Sequence, residues 1–399
     1  MTQAQPSPRI CILGGGFAGL YTALNLDALP WQTAQKPEIV LVDQRDRFVF
    51  SPLLYELVTG ELQTWEIAPP YTELLANTRV WFQQNTVARI DVAGKAVQFE
   101  NGTALPYDYL VIGLGGETPM TMVPGAANHA IPFRTVADAY RLKERLRNLE
   151  DSSQEKIRVA VVGGGYTGVE LACKLADRLG DRGRIRIIEL SDQILRTSAE
   201  FNRKAATKAL GDRGVWIDLE TKVTQITEDS LSLEFREQVD TIPVDLVIWT
   251  VGIKVADAIT TLPLKKTDRQ QIVVTHTLQS VDDPTVFALG DLADVRDATG
   301  QLVPTSAQSA LQQAQYAAWN IWALMTDRPL LPFRYQHLGE MMTLGVDDAT
   351  LSGLGITLSG SVAHVARRLA YLYRMPTLDH QIKVGVNWIA KPIRELLSL

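Results

Sequence analysis

Two short apolar runs along the chain each lead directly into a glycine-rich turn. The run at 10–13 is followed by GGGFAG at 14–19, and the run at 159–162 is followed by GGGYTG at 163–168. Runs of Ile, Val and Leu without polar alternation are typical of parallel strands that are buried on both faces. The pattern therefore predicts a buried strand followed by a tight turn at both places.

The residues after each turn continue the parallel. A helix-like segment follows each turn, at 20–29 and 169–179, and the next apolar run ends in an acid, Asp43 or Glu189. These acids lie 24 and 21 residues after the last glycine of their turns. Such an internal repeat predicts two Rossmann-like domains, and hence an α/β fold.

The glycine pattern has a specific use in nucleotide binding. The first glycine makes the tight bend, the second lets the backbone approach a pyrophosphate, and the third lets the helix pack on the strand. The helix N-terminus adds N–H donors and a partial positive charge. One such turn can arise for backbone reasons alone, but two, each with an acid placed to bind a ribose, predict two dinucleotide sites. The candidate residues are Gly14, Gly16, Gly19 and Asp43 in the first copy, and Gly163, Gly165, Gly168 and Glu189 in the second.

Glu189 bears on the choice of nucleotide. Its carboxylate can accept hydrogen bonds from the ribose 2′-OH of NADH, whereas a 2′-phosphate about 4 Å away would cost roughly 4 kcal/mol at an effective dielectric of about 20. The sequence therefore favours NADH, although nearby Arg184 and Arg186 could soften this penalty and leave NADPH open. The alternative is that Glu189 is a solvated acid at a strand end.

Composition and charge exclude several classes of protein. The chain is 46% hydrophobic and 21% charged, as expected for a globular protein, and its net charge of −6 argues against a nucleic-acid partner. Its two cysteines, Cys11 and Cys173, exclude a disulfide scaffold and are expected to be buried, inert thiols. The five histidines show no ligand spacing, so no metal site is predicted. No apolar run is long enough to predict a helix that spans a bilayer.

Further motifs carry a family resemblance. RFVFSPLLY at 47–55, GGGYTGVE at 163–170 and AQSALQQ at 307–313 are similar to segments of the type II NAD(P)H:quinone oxidoreductases. VFALGD at 286–291 resembles the strand that returns the chain to the FAD domain in the two-dinucleotide-binding-domain flavoproteins, the larger group to which those enzymes belong. The resemblance covers nearly the whole chain and implies bound FAD, with NADH or NADPH as co-substrate.

The resemblance also implies domain limits and further binding residues. It implies a discontinuous FAD-binding domain at 1–120 and 266–330, an NAD(P)H-binding domain at 121–265, and a C-terminal region at 331–399 that meets the quinone and the membrane. It adds Pro52, Gly113 and Asp291 to the FAD site and Gly252 to the NAD(P)H site.

Three residues are candidates for the chemistry. The resemblance places Glu170 near the nicotinamide and the flavin, where it would orient the nucleotide ribose or relay a proton; alternatively it is a first-turn acid that favours the helix N-terminus. Gln308 and Gln312 lie four residues apart on one predicted helix face, in the motif that the resemblance assigns to the quinone pocket. Their amides could hydrogen-bond a quinone carbonyl without adding charge to an apolar pocket, or they are plain solvent-facing residues.

The implied reaction is two-electron reduction of a membrane quinone by NAD(P)H, through FAD and without proton pumping. LYELVTGE at 54–61 and WEIAP at 65–69 resemble the branch of oxygenic phototrophs that includes demethylphylloquinone reductase, which implies a naphthoquinone substrate in vitamin K1 biosynthesis. The alternative within the family is a respiratory or thylakoid NADH dehydrogenase acting on plastoquinone. Alternatives of other kinds are a ferredoxin-type reductase and a flavin-bound NADH sensor that acts through a protein partner.

The C-terminal segment is basic although the chain is acidic. Residues 360–399 contain six Lys or Arg and two acids, and apolar side chains recur at helical spacing at 362–374 and 382–391, with Arg367 and Arg368 on the opposite side. Basic amphipathic helices lie in the bilayer interface, and each Lys or Arg near anionic lipid adds about 1 kcal/mol. We therefore expect a peripheral protein on the cytoplasmic side of the cytoplasmic or thylakoid membrane. The alternative is that the apolar faces pack on the FAD domain or on the second subunit of a homodimer.

Overall fold

A computed structural model describes residues 7–32 and 36–397 of the chain, with side chains as far as Lys391. The described residues form two compact units. The first comprises the described residues up to Phe48, together with Ala68–Glu117 and Lys254–Gln336. The second comprises Val49–Ile67, Thr118–Ile253 and the described residues from His337 onward.

The strands and α-helices of the described residues are numbered in chain order. The strands are β1 Arg9–Leu13, β2 Glu38–Asp43, β3 Val80–Gln84, β4 Val87–Asp91, β5 Ala96–Phe99, β6 Ala104–Pro106, β7 Tyr109–Ile112, β8 Gly116–Glu117, β9 Ala130–Pro132, β10 Ile157–Val162, β11 Gly183–Ile188, β12 Trp216–Asp218, β13 Lys222–Ile226, β14 Ser230–Phe235, β15 Gln238–Pro243, β16 Leu246–Trp249, β17 Lys254–Val255, β18 Ile272–Val273, β19 Val286–Ala288, β20 Ala293–Asp294, β21 Glu340–Gly345, β22 Asp348–Gly353 and β23 Ile356–Ser359. The helices are α1 Phe17–Ala28, α2 Tyr55–Thr59, α3 Thr64–Ile67, α4 Tyr71–Leu74, α5 Ala126–His129, α6 Val136–Glu150, α7 Tyr166–Leu179, α8 Glu200–Asp212, α9 Asp257–Thr260, α10 Ala307–Met325, α11 Gly360–Arg374 and α12 Leu378–Leu397.

Each unit is built on a five-stranded parallel sheet. The strand order is β19-β7-β1-β2-β3 in the first unit and β12-β11-β10-β16-β9 in the second. The central strands are the two apolar runs of the sequence, and in β1 the side chains from Ile10 to Leu13 are fully buried. The predicted α/β fold with two Rossmann-like units is therefore confirmed.

Antiparallel sheets complete both units. The first unit adds β4-β5-β6, and the second adds β13-β14-β15 and β21-β22-β23. In the second unit a buried apolar cluster joins the parallel sheet to β13 and β14, through residues such as Ala160, Trp249, Val223 and Leu231. Helix α11 follows β23 directly and packs on β22.

The helix limits differ from the sequence predictions in two ways. Helices α1 and α7 begin three residues earlier than predicted, because Gly16 and Gly165 take the N-cap positions. Pro376 separates α11 from α12 as predicted, but α12 continues past Pro392 to Leu397. In the part of the chain that the structure describes, no helix is both long enough and apolar enough to cross a bilayer.

Candidate active site

The first glycine turn is held by short backbone contacts. Gly14 has φ +93°, in the left-handed region, and a Cβ there would lie 2.4 Å from the Gly113 carbonyl oxygen. A Cβ on Gly19 would lie 1.8 Å from the Gly14 carbonyl oxygen. The Asp43 carboxylate accepts hydrogen bonds from the N–H groups of Gly15 at 2.6 Å and Arg45 at 2.8 Å. Burial nevertheless raises the pKa of Asp43 above its ordinary value, against the lowering effect of these hydrogen bonds.

The open side of this turn fits a phosphate-bearing ligand. A Cβ on Gly16 would have no described atom within 4 Å, and among the described residues no side chain caps the N-terminus of α1. First-turn N–H groups without a side-chain cap can bind an anion. The turn therefore leaves room and donors for a pyrophosphate, as the residue pattern predicts.

The second glycine turn repeats this construction. Gly163 has φ +110°, and a Cβ on Gly168 would lie 1.9 Å from the Gly163 carbonyl oxygen. The Glu189 carboxylate accepts hydrogen bonds from the N–H groups of Gly164 and Ser191, both at 2.7 Å. Around Gly165, as around Gly16, no described atom lies within 4 Å of a Cβ position. This turn therefore also fits a dinucleotide.

Two other residues predicted to bind the nucleotides lie at close backbone approaches. Gly113 follows β7, and a Cβ there would lie 3.3 Å from the Gly19 nitrogen. Gly252 has φ +83°, and a Cβ there would lie 2.7 Å from the Pro119 ring. Gly252 therefore requires a residue without a side chain, and Gly113 lies at a tight backbone approach.

Arg184 and Arg186 are engaged away from Glu189. The Arg184 guanidinium donates to the carbonyl oxygens of Asp181 and Gly183. Arg186 forms an ion pair of 3.2 Å with Asp218 and lies over the ring of Trp216. The preference for NADH over NADPH stays a prediction.

The predicted GD segment turns at Gly290 and Asp291. Gly290 has φ +74°, and its N–H donates to the side-chain oxygen of Gln313 at 2.7 Å. The carbonyl oxygen of Asp291 accepts from the Gln271 side chain. Gln313 is 2% exposed and anchors this turn to α10. Sequence reasoning missed it, although it adjoins Gln312 in the same motif.

Gln308 and Gln312 lie on one face of α10, as predicted. The Gln308 side-chain oxygen accepts from the Tyr335 hydroxyl at 3.0 Å. The Gln312 amide makes two hydrogen bonds with the backbone of Gln336, at 2.8 and 2.9 Å. Both amides thus hold the segment that follows α10, and their contact with a quinone stays a prediction.

Glu170 is buried on α7 in the second unit. Its carboxylate accepts the Thr343 N–H at 3.0 Å and a hydrogen bond from the Tyr55 hydroxyl. Burial raises the pKa of Glu170 to about 7, although the Arg367 charge and these hydrogen bonds lower it. A carboxyl group with such a pKa can hold or release a proton near neutrality.

Arg367 is the site residue that sequence reasoning misplaced. It is fully buried, and its guanidinium donates to Glu56 at 2.8 Å, to the Pro52 carbonyl oxygen at 2.9 Å and to the Tyr55 hydroxyl at 3.1 Å. Burial raises the pKa of Glu56, but Arg367 and Arg368 outweigh it and hold that pKa below its ordinary value. Pro52 therefore contributes its carbonyl oxygen to a buried charge cluster.

The expectation that Arg367 and Arg368 face anionic lipid is wrong. Arg368 is 2.6 Å from Glu56 and 3.6 Å from Glu61, and Lys391 donates to the Glu61 carbonyl oxygen. The side chain of Arg394 lies outside the described residues. Apolar side chains of α11 and α12 are instead 55–78% exposed, and we call them the apolar stripe: Val362, Val365, Leu369, Tyr373, Leu378, Ile382, Val386 and Ile389.

The two cysteines are buried far from solvent. Cys11 lies in β1 and Cys173 in α7, and burial raises the pKa of each thiol to about 12. A thiol of this kind is a poor nucleophile at neutral pH. Neither cysteine therefore has the chemistry that a disulfide reductase needs.

Comparisons with known proteins agree with this architecture. Residues 8–314 match the family described as pyridine nucleotide-disulphide oxidoreductase. The chain is 57% identical to demethylphylloquinone reductase NdbB of Synechocystis sp., over 100% of this chain and 99% of that protein. It is 44% identical to the alternative NAD(P)H-ubiquinone oxidoreductase C1 of Arabidopsis thaliana, over 98% of this chain and 82% of that protein.

The fold is also shared with solved structures. NDH2 from Plasmodium falciparum, solved with NADH, superposes with a TM-score of 0.85 at 18% identity, covering 96% of this chain and 98% of that one. The predicted family, flavoprotein enzyme class and cofactors are confirmed by these comparisons. The chain therefore belongs to the pyridine nucleotide-disulphide oxidoreductase family, on its type II NAD(P)H:quinone oxidoreductase branch.

Proposed function

We propose that this protein is a flavoenzyme that reduces a membrane naphthoquinone with NAD(P)H. The observation that carries the proposal is the pair of glycine turns, each with an open phosphate side and a carboxylate that anchors the turn. Two such turns in one chain suit an enzyme that holds two dinucleotides. The Synechocystis relative, named for demethylphylloquinone, supports the choice of a naphthoquinone.

The first unit would hold FAD. The N–H groups at the start of α1 would bind its pyrophosphate, Asp43 would bind its ribose, and Gly113 and Asp291 would lie beside it. The predicted role of Pro52 at FAD stays a prediction. Bound FAD would supply two-electron transfer between a nicotinamide and a quinone, which no side chain can supply. The residues of this unit bind and orient the cofactor.

The parallel sheet of the second unit would hold NAD(P)H. Gly163, Gly165 and Gly168 would let its pyrophosphate approach the backbone, and Glu189 would accept hydrogen bonds from its ribose. Gly252, which has no side chain, would leave space for the nucleotide. Because Arg184 and Arg186 are occupied elsewhere, NADH is the expected co-substrate.

A visible spectrum during turnover tests this function. The purified protein is expected to be yellow, to bleach on adding NADH without oxygen, and to regain colour with a naphthoquinone faster than with a ubiquinone analogue. Faster reoxidation by the ubiquinone or a plastoquinone analogue would favour the respiratory or thylakoid alternative, and the Arabidopsis relative, named for ubiquinone, keeps that alternative open. No reoxidation by any quinone would contradict the proposal and favour the NADH-sensor alternative.

We also propose that the protein is peripheral to a membrane and binds it through the apolar stripe. Eight exposed apolar side chains on two consecutive helices can enter the bilayer interface, where a prenylated or phytylated quinone partitions. Because Arg367, Arg368 and Lys391 are engaged within the protein, binding should depend on apolar contact more than on anionic lipid.

Liposome flotation distinguishes these contributions. The double variant L369D/I389D is expected to lose flotation, whereas L302D, which changes an equally exposed leucine in the first unit, should float like the native protein. Flotation of L369D/I389D at the native level would contradict the proposal that the apolar stripe binds the membrane. The predicted homodimer and the side of the membrane stay predictions.

A further inference from the structure

The buried surroundings of Glu170 contain more than the predicted site residue. Tyr55 and Glu56 face it from α2, Arg367 and Tyr371 from α11, Tyr166 and Cys173 from its own helix, and the Thr343 N–H from β21. Arg367 and Glu56 are fully buried, and Tyr55 is 3% exposed. These groups therefore set the protonation of Glu170 with little help from water.

The Arg367 guanidinium is fixed from several directions. It donates to Glu56, to the Pro52 carbonyl oxygen and to the Tyr55 hydroxyl oxygen, and it lies 4.8 Å from the centre of the Tyr371 ring. A planar guanidinium can satisfy such diverging acceptors together, whereas an ammonium group is a single point charge. Arg367 therefore holds the Tyr55 oxygen in a defined place.

We propose that Arg367 is a positioning residue for quinone reduction, which holds Tyr55 against Glu170 so that these two groups relay one proton in each turnover. The inference rests on the proposed function. The reaction is NAD(P)H + H⁺ + quinone → NAD(P)⁺ + quinol, so the nicotinamide supplies a hydride and solvent supplies the second proton. That second proton is the one that Glu170 carries.

The contacts of the Tyr55 hydroxyl allow such a relay. When Glu170 is ionised, the Tyr55 hydroxyl donates to it. When Glu170 is protonated, its O–H can donate to Tyr55, because the phenol oxygen has a second lone pair beside the one that Arg367 uses. As the Glu170 O–H bond breaks and an O–H bond forms at Tyr55, the original Tyr55 proton passes on to the quinone oxygen. Solvent then reprotonates Glu170.

Three variants separate positioning from simple packing. Tyr55→Phe removes the relay hydroxyl. Arg367→Lys keeps the positive charge but loses the planar guanidinium with its several N–H donors, and Arg367→Gln removes the charge. Tyr107→Phe is the matched control, because Tyr107 is a buried tyrosine of the first unit outside the site. The readouts are quinone turnover against pH, anaerobic bleaching of the flavin by NADH, and infrared titration of the Glu170 carboxyl, assigned with Glu170→Gln.

We expect quinone turnover to fall about tenfold or more in Tyr55→Phe and Arg367→Lys, while flavin bleaching stays within about twofold. The Glu170 titration and the alkaline limb of turnover should move to higher pH in Tyr55→Phe and Arg367→Gln, because both groups favour the ionised carboxylate. In Arg367→Lys the titration should stay near the native position.

Native turnover and an unmoved Glu170 titration in Tyr55→Phe and Arg367→Gln would overturn the inference, as would an equal loss of turnover in Tyr107→Phe. A native protein that reduces no quinone would instead contradict the proposed function. In that case the infrared titration still decides whether Tyr55 and Arg367 act on Glu170.

Discussion

The two glycine turns can be compared position by position. In each, the first N–H donates to the carbonyl oxygen at the end of the neighbouring strand at 2.8 Å, and an acid accepts the next N–H. The helices behind the turns differ. Where α1 carries Tyr21 and Asn25, α7 carries Glu170 and Lys174 at the equivalent positions, and both of these are buried. The common part fits a pyrophosphate, and the differing part places a buried carboxyl group and a buried amino group on the second copy.

The largest effect should come from adding a methyl group to the last glycine of one turn while the other turn is left unchanged. Gly19→Ala puts a methyl group 1.8 Å from the Gly14 carbonyl oxygen, so the helix and strand must separate, at a cost of about 1–3 kcal/mol. We expect a protein purified without flavin, measured by its visible spectrum. Gly168→Ala makes the same clash in the second turn and should keep the flavin but raise the KM for NADH about tenfold or more. Loss of flavin in both variants would mean that the turns do not act separately.

The next effect concerns the buried acid that only α7 carries. The folded pKa of Glu170 is about 7, above the ordinary value of 4.5, so the folded state binds more protons than the unfolded state between these values. Its contribution to stability is therefore present below pH 4.5 and lost as the pH rises through 7. When the pH is raised from 5 to 8, the unfolding free energy of Glu170→Gln should rise by about 2.5 kcal/mol relative to that of the native protein. Urea unfolding at both pH values measures this, and an equal difference at the two would refute the raised pKa.

A smaller effect is expected at the ribose acid of the second turn. Glu189→Gln removes the charge that opposes a 2′-phosphate while keeping an acceptor for the Gly164 N–H. The ratio of kcat/KM for NADPH to that for NADH should rise about tenfold or more. Asp43→Asn makes the matched change in the first turn and should leave this ratio unchanged. A ratio that moves equally in both variants would argue against Glu189 at the ribose.

The smallest effect is expected at the two thiols. Cys11→Ala and Cys173→Ala each remove a buried sulfur, and each should cost about 1 kcal/mol of unfolding free energy. Neither should change turnover of NADH with a quinone, because both thiols are held protonated by burial. A loss of activity without a loss of stability in either variant would indicate that the thiol takes part in the reaction.

Local sequence patterns were enough to predict the two parallel sheets, the glycine turns and the acids that follow them. Apolar runs without alternation, glycines at fixed spacing and an acid at the next strand end are local patterns, and the backbone has few ways to satisfy them. The same local rules placed the break at Pro376. These features needed no knowledge of distant contacts.

The buried face of α11 depends on long-range contacts that the helix sequence does not reveal. An amphipathic pattern separates a polar from an apolar helix face, but it does not show which face packs against the protein. Arg367 and Arg368 face inward because they form ion pairs with Glu56 and Glu61. These acids are more than 300 residues away in sequence. Burying a guanidinium is unfavourable unless a carboxylate compensates for its lost hydration, so the choice depended on a partner that the helix itself does not contain.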